Sequence, residues 1–551
     1  MTKIKFVLIL FLINFICNGQ INNSPKRIDV CTDLTYQYGS SIISDGDGGA
    51  IIFWKDERER DKPESGGYSI FAQRITKDGT VKWKKDGIRV CSRTLASDAP
   101  IVISDNNGGA IFAWEYTGEG SNGSDVHAQR INGDGILQWA LDGATVCNMV
   151  GAQQKIQLAS NGDGGAIITW CDSRNTNEKA IYAQNLNFDG SVKWVGNGVL
   201  LLKTYDIDTD FKIIPDENKG AIIAWTDNNN PNLKRGMYAQ RIDSDGKKLW
   251  NEEGVYIKTK GGGVYNPSLV TDGGNGAIIS WEHGSDTGIA INISMQRLDN
   301  NGVIKWGENS VLVFDLDVSQ GKESRLVSDD NGGAIITWKD GRVNTINYPN
   351  IYAQRVNAEG ISQWVKNGIP ITNYQYTSSD RPRIAKDGTG GAIISWDQRD
   401  FGTAVMIQGI NAAGEMLWNA SDKPIGEMGF GSNIISDEVG TAIIAWNYSV
   451  STHNIDVYAK KISLKKNLSI GEHVNEIKSH VSIFPNPVHD FLTFNSAENF
   501  KSLSIINQNG QIISTFAGDV KKVDFSSFSA GVYFIDILTA KGKIIKKVIK
   551  Y

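Results

Sequence analysis

The chain reads as all-β: an eight-bladed β-propeller followed by a small Ig-like β-sandwich. All fifteen tryptophans occupy two repeating positions. Eight end a Gly-Ala-Ile-rich run: Trp54, Trp114, Trp170, Trp225, Trp281, Trp338, Trp396 and Trp446. The other seven follow a glycine turn 22 to 29 residues later: Trp83, Trp139, Trp194, Trp250, Trp306, Trp364 and Trp418. The first set recurs every 50 to 60 residues, and such a period marks a solenoid, a propeller or an array. No copy offers a glycine-free run with 3.6-residue periodicity, which disfavours a helical solenoid. The 59 glycines against 12 prolines suit many tight turns between short strands.

One copy shows why each element forms. The turn Asp329-Asp-Asn-Gly-Gly333 leads into Ala334-Ile-Ile-Thr-Trp338, a short β-branched and aromatic strand, apolar on both faces as a doubly buried strand must be. Tyr352-Ala-Gln-Arg-Val356 is a second strand with more polar alternation. The Gly360 turn feeds a third around Trp364, and the stretch before the Asp-Asn-Gly-Gly turn supplies a fourth. Four strands in about 55 residues is the pattern of a propeller blade. The copies run from near residue 42 to near 464 and number eight, with seven the alternative if one copy is displaced. The last copy lacks its second tryptophan and closing strand. Lys26-Arg-Ile-Asp-Val-Cys31 is similar to Gly87-Ile-Arg-Val-Cys91, so residues 26–31 are predicted to complete the last blade and remove an exposed edge.

Residues 1–19 read as a secretory signal. Lys3 and Lys5 precede the apolar run Phe6 to Ile16, and cleavage is expected before Gln20. That run is too short for a membrane span, and no transmembrane span is expected in the mature chain. Ile16 disfavours lipidation of Cys17. Net charge is −5 with no basic stripe in the repeats, which argues against nucleic acid. Cys31, Cys91 and Cys147 share one repeat position, too far apart for bridging, and read as buried small side chains. A pairing of Cys171 stays open.

After Leu464 the composition changes. Residues 465–480 read as a linker and 481–551 as a strand-rich tail with Asn509-Gly510 and Lys541-Gly542 turns. The tail contains Phe484-Pro485-Asn486-Pro487, Gly510, Ser529-Ala-Gly531-Val-Tyr533 and Lys546-Lys547-Val-Ile-Lys550. In order and spacing these resemble the type A C-terminal sorting domain of the type IX secretion system. The resemblance implies export across both membranes, with the type IX translocon and sorting machinery as partners, and a chain anchored at the cell surface or released.

The repeats carry motifs whose bland readings are preferred. Asp45-Gly-Asp-Gly-Gly49 and its copies lack the later acid that closes a calcium shell, and Asx-Gly turns explain them. The sialidase Asp-box fails on spacing, because Trp54 lies seven residues after Asp47 where four are required. Asp245-Gly-Lys-Lys-Leu-Trp250 resembles the docking strand of quinoprotein-type propellers in its packing residues alone. His127 stands at the Tyr182 and Tyr352 position, and no histidines pair at zinc spacing. No cofactor or metal is expected. Glu57, Glu115 and Glu282 are among too many acids to select a catalytic pair. Trp-x-Asp-x-Arg recurs as Asp56/Arg58, Asp172/Arg174 and Asp340/Arg342. Its preferred reading is an inter-blade contact or solvated rim, and its functional reading a charged ring facing a ligand. Long loops at 55–67, 116–125 and 343–350 are expected on one face, where binding residues concentrate. The expectation is a secreted, non-catalytic module binding a glycan or a surface protein. The alternatives are an extracellular polysaccharide-acting enzyme and a structural surface protein.

Overall fold

A computed structural model of the chain describes residues 27–463 and 481–551 apart from short stretches, the longest being 59–67, 117–122 and 419–424. The expected signal peptide, the linker, Gly510 and most of the three long loops lie outside the described residues. The chain divides into two compact units, 1–464 and 465–551.

The described part of the first unit is all-β, without a helix, and consists of eight four-stranded antiparallel sheets. In chain order they span 37–94, 101–147, 153–204, 211–257, 264–312, 322–370 and 378–427, and the eighth joins 429–463 to 28–31. Ile28–Cys31 pairs with Asn454–Ser463, placing Ile28 opposite Ala459. The first strands of successive sheets lie side by side, and Gly429–Ser436 lies beside Gln37–Ser44. These first strands therefore form a closed circuit.

The two tryptophan sets do different work. The first set lies between neighbouring sheets, with Trp54, Trp170, Trp225, Trp281, Trp338 and Trp446 all under 2% exposed. Each such strand is apolar on both faces because sheets cover it on both sides, as Ala50–Asp56, buried along its whole length, illustrates. Six of the second set tie sheet to sheet by an indole hydrogen bond. Trp83 Nε1 donates to the Gly133 carbonyl at 3.1 Å, Trp194 to Ser244 at 2.9 Å and Trp306 to Ala358 at 2.8 Å. A glutamine in the third strand presents this tryptophan: Gln73 Oε1 accepts Trp83 N, and Gln73 Nε2 donates to the Lys84 carbonyl. Gly198, at φ 86°, cannot be replaced cheaply, since a Cβ there would lie 2.5 Å from Trp170 Cη2.

The acid of each Gly-Gly turn is committed internally. Asp45 Oδ1 accepts the N–H groups of Asp47 and Gly49, while Oδ2 takes the Arg74 guanidinium at 2.8 Å. Arg74 also donates to the Gly133 carbonyl of the second sheet. Asp105/Arg130, Asp216/Arg241, Asp272/Arg297 and Asp329/Arg355 repeat the ion pair.

In the second unit, a three-stranded sheet (Ser482–Phe484, Phe491–Asn495, Lys522–Asp524) and a four-stranded sheet (Phe500–Asn507, Ile512–Ala517, Gly531–Thr539, Lys543–Lys550) enclose one core that includes Leu492, Phe494, Leu503, Phe525 and Ile535.

Candidate functional site

The Trp-x-Asp-x-Arg residues fold into buried clamps. Asp56 follows Trp54 by two residues, so the strand places both on one face, and Trp54 Nε1 donates to Asp56 Oδ2 at 2.8 Å. Arg58 returns to the same carboxylate, lies 4.1 Å over the Phe71 ring and donates to the Asp86 carbonyl. Arg174 repeats this on Asp172, 3.7 Å over Tyr182, and donates to the Asn197 carbonyl. Arg342 does so on Asp340, 4.1 Å over Tyr352, with the Asn367 carbonyl. The three carboxylates are fully buried, and the arginine side chains are only 17, 14 and 12% exposed. The solvated-rim reading is therefore corrected, because these pairs are buried within the first, third and sixth sheets. Arg58 and Arg174 also reach Cys31 Sγ and Cys147 Sγ of the preceding sheet. Cys31, Cys91, Cys147 and Cys171 are all buried. His127 stands opposite Trp114, as Tyr182 stands opposite Trp170.

A feature that no sequence motif marks lies at one end of the first-strand circuit. Six of the eight first strands bulge at the same place, and the bulged residue takes left-handed backbone geometry: Gly39, Lys155, Asn266, Glu323, Arg381 and Gly431, with φ between 50° and 66°. Four of these are not glycine, and such strain collects at functional sites. The bulges turn backbone N–H groups toward the preceding sheet: Asn266 N donates to Asp210 and Arg381 N to Glu323, and at the other four the residue after the strand tryptophan accepts. Glu115 Oε1 accepts Lys155 N at 2.8 Å, and Glu282 Oε1 accepts Ser324 N at 3.2 Å. Asp397 Oδ2 accepts Gly431 N at 2.8 Å, and Asn447 Oδ1 accepts Ser40 N at 3.1 Å. Glu282 also accepts the Asn266 amide, and its burial raises its pKa. Lys339 bridges Glu323 and Asp380.

Beyond the bulge, one residue per strand shares a register level: Ser41, Ile101, Gln157, Lys212, Ser268, Arg325, Arg383 and Asn433. Each lies four residues before its turn acid or amide, so aligning the repeats on that turn would have found the ring. Five of these residues line a cavity of about 530 Å³, together with Glu115, Lys155, Asp210 and Asn266. Lys212 Nζ donates to Gln157 Oε1 at 3.1 Å, and Arg383 Nε to Asn433 Oδ1 at 3.1 Å. Arg325 donates to the Ser324 carbonyl. Burial, then the nearby Arg325 charge, lowers the pKa of Lys212 and brings Arg383 down to about 10. The next inward level is apolar, with Ile214, Val270, Val327, Ala385 and Ile435 lining a second cavity of about 570 Å³.

In the tail, Asn486 joins the opening motif to the last strand, donating to the Lys547 carbonyl at 2.8 Å and accepting Ile549 N at 2.9 Å. Pro485 and Pro487 flank it, both after cis peptide bonds. Tyr533 packs on Phe525 and Phe528 beside Gly531, and its hydroxyl donates to the Ser529 carbonyl. Lys546 is half-buried and Lys547 exposed. Residues 482–551 match the family model described as the secretion system C-terminal sorting domain. The tail is a type IX sorting domain. It marks the chain as an exported protein of the cell surface or the extracellular space.

A search of curated proteins finds no match to the chain. Among solved structures, an ulvan lyase representing a new family of polysaccharide lyase aligns with TM-score 0.42 and 10% identity, covering 80% of this chain and 98% of its own. A protein of unknown function from Dyadobacter fermentans aligns with TM-score 0.34 and 8% identity, covering 80% and 99%. An α-L-arabinofuranosidase from Fusarium graminearum aligns with TM-score 0.34 and 9% identity, covering 81% and 99%.

Proposed function

We propose that the first unit is an eight-bladed β-propeller that binds a saccharide without cleaving it, at the bulged mouth of its axial channel. It does so after export by the signal peptide and then the type IX machinery. The observation that carries this reading is the contrast at the mouth. Glu115, Glu282 and Asp397 are engaged by backbone N–H groups of the next sheet. Each of these carboxylates is bound into the frame of the mouth through at least one oxygen, which supports a structural role for it over a catalytic one. The cavity is lined by hydrogen-bonding groups such as Gln157, Ser268 and Lys212, beside Glu115 and Asp210. A concave polar site of about 530 Å³ suits a few sugar rings. The clamp residues Asp56, Arg58, Asp172, Arg174, Asp340 and Arg342 act at a distance in this reading, as the frame that holds the sheets.

The test is affinity electrophoresis of the exported chain through gels containing individual polysaccharides, with reducing-end and unsaturated-product assays run in parallel. Retardation on at least one polysaccharide without product is expected. Product release would replace binding with catalysis, and free migration on every polysaccharide would turn the search to a protein partner.

A further inference from the structure

Three cations share one level of the channel mouth. Lys212, Arg325 and Arg383 occupy one register level on the fourth, sixth and seventh first strands. Among the described residues none of the three forms a salt bridge, although lysines and arginines elsewhere in the repeats pair with acids. Their partners are neutral: a Gln157 amide, the Ser324 carbonyl, and for Arg383 the Asn433 amide and the Pro382 carbonyl. A guanidinium has five N–H donors, so Arg325 and Arg383 keep several for a ligand. Arg325 is close enough to the other two to disfavour their charge. Stacking like charges inside a walled channel costs stability, so this ring is unfavourable for an empty channel and favourable for one holding an anion. The chain as a whole is acidic at −5, so the positive patch is local rather than part of a generally basic surface. Nearby acids offset it in part, with Asp210 near Lys212, Glu282 near Arg325, and Asp397 and Glu323 near Arg383; yet Asp397 pairs with Arg381, and Glu323 and Asp380 pair with Lys339, rather than with the three.

We infer that the saccharide taken up at the channel mouth is anionic, and that Lys212, Arg325 and Arg383 hold its carboxylate or sulfate groups. This rests on the proposed saccharide-binding role and adds the chemical class of ligand. Arg suits such groups because its planar fork presents paired N–H donors to carboxylate or sulfate oxygens.

Calorimetric titration of the exported chain tests it with four probes: oligogalacturonate, sulfated dextran oligomers, neutral gluco-oligosaccharides and inorganic sulfate. The same titrations are run on Lys212→Gln, Arg325→Gln and Arg383→Gln. At least one acidic oligomer is expected to bind, to weaken with added salt, and to lose roughly tenfold or more in affinity with each substitution, as for a charged hydrogen bond. The melting temperatures of the three variants are expected to stay close to the parent, since none of the three holds a direct ion pair among the described residues, so lost binding does not signal lost folding. Binding of the neutral oligomers alone, unaffected by salt or the substitutions, would overturn the anionic assignment while leaving the saccharide reading intact. Binding of inorganic sulfate alone would make this an anion site and sink the saccharide reading. Failure of all four probes would sink both.

Discussion

At the scale of single residues, the clamps show how a surface-looking motif becomes interior architecture. Trp-x-Asp-x-Arg was legible as a repeated charge pair, but its burial was not, because the sequence does not reveal that an aromatic ring of the adjacent strand covers the guanidinium. Exposed pairs contribute about 0–1 kcal/mol, whereas removing one partner of a buried pair strands the other charge and costs about 3–5 kcal/mol. Arg342→Ala removes the guanidinium from buried Asp340, which keeps the Trp338 indole N–H and the backbone N–H of residue 342 among its donors. It is expected to destabilise the first unit by about 3 kcal/mol, read from its denaturant midpoint. A loss below about 1 kcal/mol would mean that the pair is effectively solvated. The cysteines give a chemical check. Burial pushes the Cys31 thiol up to about 12 and the Cys147 thiol up to about 11. Neither is expected to react with a thiol-specific disulfide reagent at pH 8 until the chain is unfolded, since the thiolate is the reactive form. Rapid labelling of the native protein would contradict this placement.

At the scale of the element, strand identity was readable and strand irregularity was not. Ala-Ile-Ile-x-Trp identifies a doubly buried strand from composition alone, and the likeness of residues 26–31 to 87–91 made the closing strand legible. The bulges escaped because pairing, not composition, defines them. Gly39 and Gly431 are glycines among many, and Lys155, Glu323 and Arg381 carry no signal for left-handed geometry. The bulge still leaves a mutational signature. Lys155→Val places a β-branched residue at φ 55°, a region that costs roughly 1–2 kcal/mol for residues with a Cβ and more for a branched one. The expected outcome is a melting temperature lower than that of Lys155→Gly, which tolerates the conformation. Equal stability of the two variants would show that the bulge is absent in solution. The same one-residue logic explains the seventh sheet. There Gln398 takes the indole N–H of Trp396 at 3.1 Å, and Asp397, one residue earlier, faces the other way to serve the bulge at Gly431.

At the scale of the whole molecule, the chain combines a regular repeat of four-stranded sheets with a closed circuit of first strands whose regularity breaks at the bulges. The repeat and the sorting tail were legible because both recur in sequence, one as a period and one as an ordered set of motifs. The site was not, because its residues come from different repeats some 55 positions apart and meet only when the first strands close into a circuit. The tail gives a cellular prediction. A chain ending at residue 480 is expected to fold its first unit yet remain inside the cell envelope, with surface labelling and the culture medium as readouts. Undiminished export of that truncated chain would contradict the role of the tail. The account rests most on the location of binding. The most direct measurement is a crystal structure of the exported chain with its best-retained saccharide. The account predicts sugar density at the bulged mouth, with an acidic group within hydrogen-bond distance of Lys212 and Arg325. Density on the outer edge of the sheets with the channel mouth empty would contradict it.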